Sequence, residues 1–223
     1  FHLSTQMVGA DTSEFFPALD DVRVGQALAE RWSATARRLH SAFKVSVGVV
    51  SGKRCLGGML ELLEHCHYLV AVKGAQLGMP EVTLPVLPGM EGCHWAFRKA
   101  PRADYPKLLQ FLLSGRSVKA EDAVGWLIDF SGSMDESLAT AWALASGTSS
   151  IKARALNEGA LDGIPADVAG LPPVGSPATE TARKAILDCI RASCGARLSD
   201  ALAIQAKHSA EFMKTSACRK GRV

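Results

Sequence analysis

The feature that most constrains this chain is the alternation of short apolar runs with a turn and a helix in its first half. Val45–Val50 and Tyr68–Val72 have the composition of short buried strands. Between them, the turn formers of Ser51–Gly58 precede Met59–His67, where apolar residues recur at helical spacing. Because strand, turn, helix and strand follow one another, the pattern predicts an α/β fold, in which ligands bind at loops that leave the strands' carboxyl ends.

Other segments add helices and one long loop to this framework. Gly25–Lys44 carries apolar residues at helical spacing, with charges on the opposite face. Tyr105–Gly115 and Ala120–Leu127 predict two short helices. Glycine and proline are frequent in Gly74–Gly92, which therefore predicts an ordered loop.

The second half of the chain indicates a boundary and a helical tail. Residues 163–177 hold four of the ten prolines and three glycines, which is typical of a linker. We therefore divide the chain into an α/β core over 1–162, this linker, and a helical region over 178–223. Amphipathic patterns within Ala182–Ile190 and Leu198–Phe212 predict two helices there.

Composition excludes several classes of protein. The net charge of +3 is too small an excess to indicate a nucleic-acid partner, and 48% apolar residues disfavour disorder. No run approaches the ~18 apolar residues of a membrane span. The six cysteines include no Cys-x-x-Cys pair, which predicts reduced thiols and a cytoplasmic protein. His65, Cys66 and His67 are consecutive and would point in different directions on a helix, so we expect no metal site.

Two acidic residues and a glycine pair are the candidates for chemistry. Gly57 and Gly58 precede a helix, so the amide of Gly58 is free to donate to an oxyanion. Glu61 lies in the first turn of that helix, and Glu81 lies in the glycine- and proline-rich loop. Taken singly, Glu61 fits a solvated helix start and Glu81 fits an exposed loop. If both reach one pocket, they can position a water molecule or move protons beside a carbonyl.

These residues belong to a series of four motifs with characteristic order and spacing. The motifs are Gly9–Asp11, Cys55–Leu62, Gly78–Val82 and Leu87–Gly92. Over roughly residues 7 to 130, the series resembles that of the crotonase (enoyl-CoA hydratase/isomerase) superfamily.

The resemblance implies a role for each matching residue. The amides of Ala10 and Gly58 would form the oxyanion hole for a thioester carbonyl. Glu61 and Glu81 would be the catalytic acids that hold and split water, and an amide at Gly89 would help to seat that water. The residues expected to contact substrate are Val8, Gly9, Asp11, Gly57, Pro80 and Gly89.

The resemblance also implies a fold and partners. The expected core is a spiral of ββα turns with a helical C-terminal region, and the N-terminal strands of the family are expected to be absent. The substrate would be an acyl-CoA thioester, with coenzyme A carried as part of the substrate and no separate cofactor. The helices after Pro177 would mediate a homo-trimer or a dimer of trimers.

Three functions remain open from the sequence, and the presence of both acids favours the first. The first is an enoyl-CoA hydratase that adds water across a 2-enoyl-CoA. The second is an enoyl-CoA delta-isomerase, in which a single Glu moves the proton. The third is a non-catalytic crotonase-like scaffold subunit.

Overall fold

A computed structural model describes residues 7–8, 20–173 and 175–220, with backbone alone at 7, 8, 219 and 220. The strands are β1 Met7–Val8, β2 Val47–Val50, β3 Arg54–Leu56, β4 Tyr68–Val72, β5 Gln76–Gly78, β6 Val118–Lys119 and β7 Phe130–Gly132. The α-helices are α1 Val22–Ser41, α2 Gly58–Glu64, α3 Trp95–Lys99, α4 Tyr105–Ser114, α5 Met134–Ser146, α6 Pro177–Cys194, α7 Leu198–Met213 and α8 Ser216–Lys220.

The strands form two sheets, and the chain passes repeatedly from one to the other. One sheet has the order β1-β3-β5-β6, in which only β6 is antiparallel to its neighbour. The second has the order β2-β4-β7 and is parallel throughout. From β2 to β5 each strand belongs to the sheet that the previous strand does not, with α2 inserted after β3. This is the ββα spiral that the resemblance implies.

Helix α2 is short, with Gly57 before its first residue and the side chain of Lys99 at its carboxyl end. Gly57 precedes the helix with φ +56°, a left-handed value that favours glycine. At the other end, Nζ of Lys99 donates to the carbonyl oxygens of Glu64 (3.3 Å) and Cys66 (2.7 Å). Lys99 is buried, and its charge is favourably placed at the carboxyl end of a helix.

The tail helices pack onto the rest of the chain. On α6, Ile186, Cys189 and Ile190 have no exposed surface and join one hydrophobic cluster with the sheet residues. Helix α7 packs along α1, and Nη2 of Arg37 donates to the carbonyl oxygen of Leu198 at 2.8 Å. The apolar faces of both helices are thus covered within the chain. The division at 163–177 and the trimeric assembly stay predictions.

Most of the predicted elements are confirmed, and one helix is wrong. The tail helices, the helix after Tyr105 and strand Tyr68–Val72 are present. The predicted helix Ala120–Leu127 is only a 3-10 turn over Ala120–Ala123, because Gly125 takes φ +92° and the chain reverses there. Helix α5 has no counterpart among the predicted helices. In the described part of the chain, none of the helices has the length and apolar character needed to cross a membrane.

Candidate functional site

The glycine pair lies at the junction of β3 and α2. Gly57 donates to the carbonyl oxygen of Gly78 (2.9 Å), and its own carbonyl oxygen accepts from the amide of Glu61 (3.0 Å). Gly58 is the first residue of α2, where a main-chain amide has no partner inside the helix. The junction therefore ties the end of β5 to the start of the helix that carries Glu61.

Glu61 is a buried carboxyl group held by main-chain amides. It is 2% exposed, and Oε1 accepts hydrogen bonds from the amides of Met90 and Gly92, both at 2.8 Å. Burial raises the pKa of Glu61 to about 7, although the amides of Met90, Gly92 and Gly89 favour the ionised form and oppose this rise. The charge of Glu91 raises it further. The solvated helix-start interpretation of Glu61 is wrong.

Glu81 lies in a 3-10 turn, Pro80–Thr83, directly after β5. It is only 8% exposed, so the exposed-loop interpretation is also wrong. Within the described residues its buried Oε2 has no hydrogen-bond partner. Burial, followed by the nearby charge of Glu61, raises the pKa of Glu81 to about 8. A carboxyl group that is buried, unpartnered and protonated near neutral pH is typical of an acid–base site.

The carboxyl group of Glu81 and the backbone of Glu61 both lie against Gly57. A β-carbon built on Gly57 would lie 2.9 Å from Oε1 of Glu81 and 3.9 Å from Cδ of Pro80. The helix that begins there carries Glu61 one turn later. The structure thus brings five predicted residues into one region: Gly57, Gly58, Glu61, Pro80 and Glu81.

Gly89 lies beside the same region. Its amide is one of the groups that favour the ionised form of Glu61. A β-carbon on Gly89 would contact the Trp32 ring at 3.4 Å. The amide that the resemblance assigns to seating water therefore interacts with a carboxylate here.

The predicted residues of the first motif are described only in part. Strand β1 pairs in parallel with β3, with Val8 opposite Leu56, so β1 ends beside the strand that leads into Gly57. Gly9, Ala10 and Asp11 lie outside the described residues.

Comparisons with known proteins agree with this architecture. No family model matches the chain. Over 129 residues it is 33% identical to a probable enoyl-CoA hydratase of Bacillus subtilis (strain 168), covering 57% of this chain and 48% of that protein. Among solved structures it is similar to a carnitinyl-CoA dehydratase from Mycobacterium thermoresistibile, with TM-score 0.67 over 96% of this chain and 70% of that one, at 18% identity. It is also similar to an enoyl-CoA hydratase from Rhodobacter sphaeroides 2.4.1, with TM-score 0.60 over 89% and 67%, at 21% identity.

The two structural likenesses show the fold. The sequence match shows similarity to a protein named as a probable enoyl-CoA hydratase. The chain spans about half, or less, of the length of the curated relatives it matches.

The chain has a third buried acid near the pair, which sequence reasoning missed. Glu64 follows Glu61 by three residues on α2 and is 5% exposed. Burial and then the charge of Glu61 raise its pKa to about 8, while Lys99 and Arg154 oppose the rise. The helical spacing of the two acids was the signal that could have indicated it.

A buried charged network centred on Glu91 was also missed. Glu91 has no exposed surface and accepts from Nε of Arg37 at 2.9 and 3.0 Å. Nε2 of His65 and Nε2 of His94 each lie 3.1 Å from its carboxylate oxygens. Burial alone would raise the pKa of Glu91, but hydrogen bonds from His65, His94 and Arg37 outweigh burial and hold it well below its usual range.

The histidines considered for a metal site have other partners. His65 stacks on Trp95 with ring centroids 4.0 Å apart, and His67 stacks on His40 at 4.3 Å. Nδ1 of His67 accepts from the amide of Ser46. Among the residues described, no group of three or more His, Cys, Asp or Glu side chains is arranged to hold a metal ion.

Two surface cavities lie elsewhere on the molecule. One of about 310 Å³ lies between α4, β6 and Trp126, and one of about 460 Å³ lies between the first turns of α6 and α8. Neither is lined by Glu61 or Glu81. The second includes Thr83 of the turn that carries Glu81.

Proposed function

We propose that this chain provides the active site of an enoyl-CoA hydratase, which adds water across the C2–C3 double bond of a 2-enoyl-CoA thioester. The observation that carries the proposal is the buried Glu81, whose unpartnered Oε2 and closely packed Oε1 lie at the start of the helix that bears Glu61. The name of the Bacillus subtilis relative supports this substrate class.

The two acids divide the work according to their surroundings. Three amides favour the ionised form of Glu61, whereas Glu81 has raised pKa and no partner for Oε2. We therefore assign Glu61 as the base and Glu81 as the acid. Glu61 takes a proton from water, the oxygen of that water bonds to C3, and Glu81 gives a proton to C2. The product is the 3-hydroxyacyl-CoA, and the proton on Glu61 returns to Glu81 through solvent before the next cycle.

The negative charge that develops on the thioester oxygen during the reaction needs hydrogen-bond donors to stabilise it. We assign the amides of Gly58 and Ala10 to this oxyanion hole, as the motifs imply. The parallel pairing of β1 with β3 supports it, because both strands then end at the same edge of the sheet. An amide at the start of a helix is a strong donor to such an oxygen, and losing one costs about 10²-fold or more in kcat.

Coenzyme A enters with the substrate in this proposal, and no separate cofactor is assigned. A homo-trimer or dimer of trimers, assembled through the helices after Pro177, is part of the proposal, as is a cytoplasmic location. Light scattering at micromolar concentration tests the assembly, and a monodisperse monomer would contradict it.

The activity is tested with crotonyl-CoA by following the absorbance of the conjugated enoyl thioester. Hydration removes the conjugation, so we expect the absorbance to fall with the unaltered protein and not with Glu81→Gln. An absorbance rise from a 3-enoyl-CoA would indicate the isomerase instead. No absorbance change with any acyl-CoA tried would support the non-catalytic scaffold subunit.

A further inference from the structure

We propose that Glu91, His65 and Arg37 form a positioning device that fixes the carboxylate of Glu61, so that the loop holding the catalytic base is itself held by a buried charge network. The catalytic part of this inference rests on the proposed function. The positioning part does not, because it concerns how one carboxyl group is held.

Glu91 lies in its loop between the two residues whose amides hold Glu61. The two amides that donate to Oε1 of Glu61 belong to Met90 and Gly92, the residues on either side of Glu91. The direction of both N–H groups therefore depends on the backbone conformation of Glu91. The fit is tight as well, since a β-carbon on Gly92 would lie 2.7 Å from Oε1 of Glu61.

The backbone conformation of Glu91 is intrinsically unfavourable. Glu91 has φ +68°, and among the described residues it alone takes a positive φ without being glycine. A long side chain is disfavoured in that region and persists only where its surroundings impose it. Something other than local preference must hold Glu91 there.

Contacts of its carboxylate with Arg37 and His94 hold Glu91 in this conformation. Arg37 on α1 donates from Nε to both carboxylate oxygens of Glu91, and its Nη2 also donates to the carbonyl oxygen of Leu198 on α7. His94 lies 3.1 Å from Oε1 of Glu91 and is fixed in turn, because its Nδ1 accepts from Nε of Arg98 at 2.9 Å. The carboxylate is thus anchored to α1, α3 and, through Arg37, α7.

His65 links Glu91 to Glu61 by a second route. Nε2 of His65 lies 3.1 Å from Oε2 of Glu91, and Nδ1 of His65 donates to the carbonyl oxygen of Glu61 at 2.7 Å. One path from Glu91 therefore reaches the carboxylate of Glu61 through the Gly92 amide. A second path reaches its backbone through His65, which Trp95 covers by stacking.

The consequence concerns the ionisation of the base. The loop amides favour the ionised form of Glu61 against the effect of burial. Removing Glu91 takes away a charge that raises the pKa of Glu61, but each of the amide hydrogen bonds acts more strongly than that charge. Without the anchor, the loop relaxes and these hydrogen bonds lengthen, so the net effect is a rise in the pKa of Glu61. The limb of the kcat–pH profile that reports its ionisation then moves to higher pH, while binding of acyl-CoA changes little.

The test compares Glu91→Gln, which keeps the shape and loses the charge, with Glu91→Gly, which removes the strain together with the anchor. We expect both to lower kcat by about 10-fold or more, the scale of a misplaced reacting group. We expect KM for crotonyl-CoA to change by less than about 2-fold, since Glu91 makes no contact with substrate in this proposal. If Glu91→Gly keeps the full kcat and the unaltered pH profile, the side chain positions nothing and the proposal is overturned.

The matched control is Asp129→Asn, which also removes a buried carboxylate from an arginine, here Arg154 at 2.8 Å, but touches neither Glu61 nor its loop. It should lose stability and keep its pH profile. If it shifts the profile as Glu91→Gln does, the effect is general loosening and the proposal fails. If Glu91→Gln does not fold, Arg37→Lys replaces it as the test. Arg37→Lys keeps the positive charge but loses the forked contact with Glu91, so it should give the same shift of the kcat–pH profile.

A readout without turnover separates this inference from the proposed function. In protein labelled with ¹³C at glutamate carboxyls, the Glu61 signal is assigned by its loss in Glu61→Gln, and its titration midpoint is measured. We expect a higher midpoint in Glu91→Gly than in the unaltered protein. An unchanged midpoint overturns the positioning role even if the protein is a hydratase. A shifted midpoint supports it even if crotonyl-CoA is not a substrate.

Discussion

Oε1 of Glu81 occupies the space that a side chain on Gly57 would need. A β-carbon at Gly57 would lie 2.9 Å from that oxygen, closer than such atoms approach in real structures. Gly57 also takes φ +56°, a conformation that side chains disfavour. The carboxyl group of Glu81 is therefore packed against the backbone that begins α2, and this contact requires glycine for two independent reasons.

Gly57→Ala should consequently damage the site more than backbone strain alone would. The strain of a positive φ costs about 1–2 kcal/mol, and the new methyl group must also displace Glu81. We expect a larger loss of unfolding free energy than strain explains, and at least a 10-fold loss of kcat. Urea unfolding and crotonyl-CoA turnover measure the two effects.

The control for this substitution is Gly125→Ala. Gly125 has φ +92°, but a β-carbon there would meet nothing within 4 Å. It should lose only the strain energy and retain turnover. Equal losses in the two variants would mean that Glu81 moves aside freely and that its contact with Gly57 is unimportant.

The raised pKa of Glu81 gives a pH dependence of stability with a definite sign. The folded protein keeps this proton up to about pH 8, whereas the unfolded chain releases it near its ordinary pKa of 4.5. Between these pH values the folded state binds one more proton than the unfolded chain. The free energy of unfolding is therefore higher at low pH and falls as pH rises. Each such proton contributes a slope of about 1.4 kcal/mol per pH unit.

Glu81→Gln should remove this slope, because the amide stays neutral. Urea unfolding at several pH values between 5 and 8 should show the unaltered protein losing stability, relative to the variant, as pH rises. The lowered pKa of Glu91 has the opposite effect on stability, because the stabilisation from its carboxylate is lost as pH falls. That loss occurs below the range of pH 5 to 8. Parallel curves for the two proteins would show that Glu81 titrates normally.

The six cysteines provide a simple check of the core. In the described part of the chain none of them forms a disulfide, and all are buried. Burial raises the pKa of Cys55 and that of Cys194 to about 12, which leaves little reactive thiolate. We expect a thiol reagent to react slowly with the native protein and with six equivalents after unfolding. Rapid reaction of the native protein would mean that the core opens readily.

The sequence predicts the parts of this fold that depend on local pattern. Strand Tyr68–Val72 and the tail helices have enough residues for their apolar periodicity to be read. Strand β5 has only three residues, inside a segment whose glycines and prolines indicate a loop, so its pairing with β3 was not predictable. The failed helix at Ala120–Leu127 has helical composition, and the reversal at Gly125 overrides it.

The candidate site was predictable where motifs are contiguous and hidden where contacts are distant. Glu61 and Glu81 follow from their glycine-bearing motifs. The Glu91 network joins residues that are far apart in sequence, such as Arg37 and Glu91, which are 54 positions apart, and only folding brings them together. His65 was considered only with its chain neighbours, although its ring contacts the carbonyl oxygen of Glu61, four residues earlier on α2.

The last prediction concerns how Glu61 and Glu81 share the reaction. Each single change, Glu61→Gln or Glu81→Gln, should lower kcat by about 10²-fold or more, because base and acid are both needed around one water molecule. Binding of acyl-CoA should change little, since neither acid is assigned to coenzyme A. Steady-state kinetics and equilibrium binding of a non-reactive acyl-CoA measure the two quantities separately.

The double variant decides whether the acids act as a unit. If they flank one water molecule, the double variant should lose far less than the product of the two single effects, as for residues of one catalytic unit. Losses that multiply would indicate independent roles. An isomerase would show one substitution that abolishes turnover and one that barely matters, because a single carboxylate carries its proton. Near-normal rates for both single variants on every enoyl-CoA would remove these acids from catalysis and leave the scaffold as the better account of the chain.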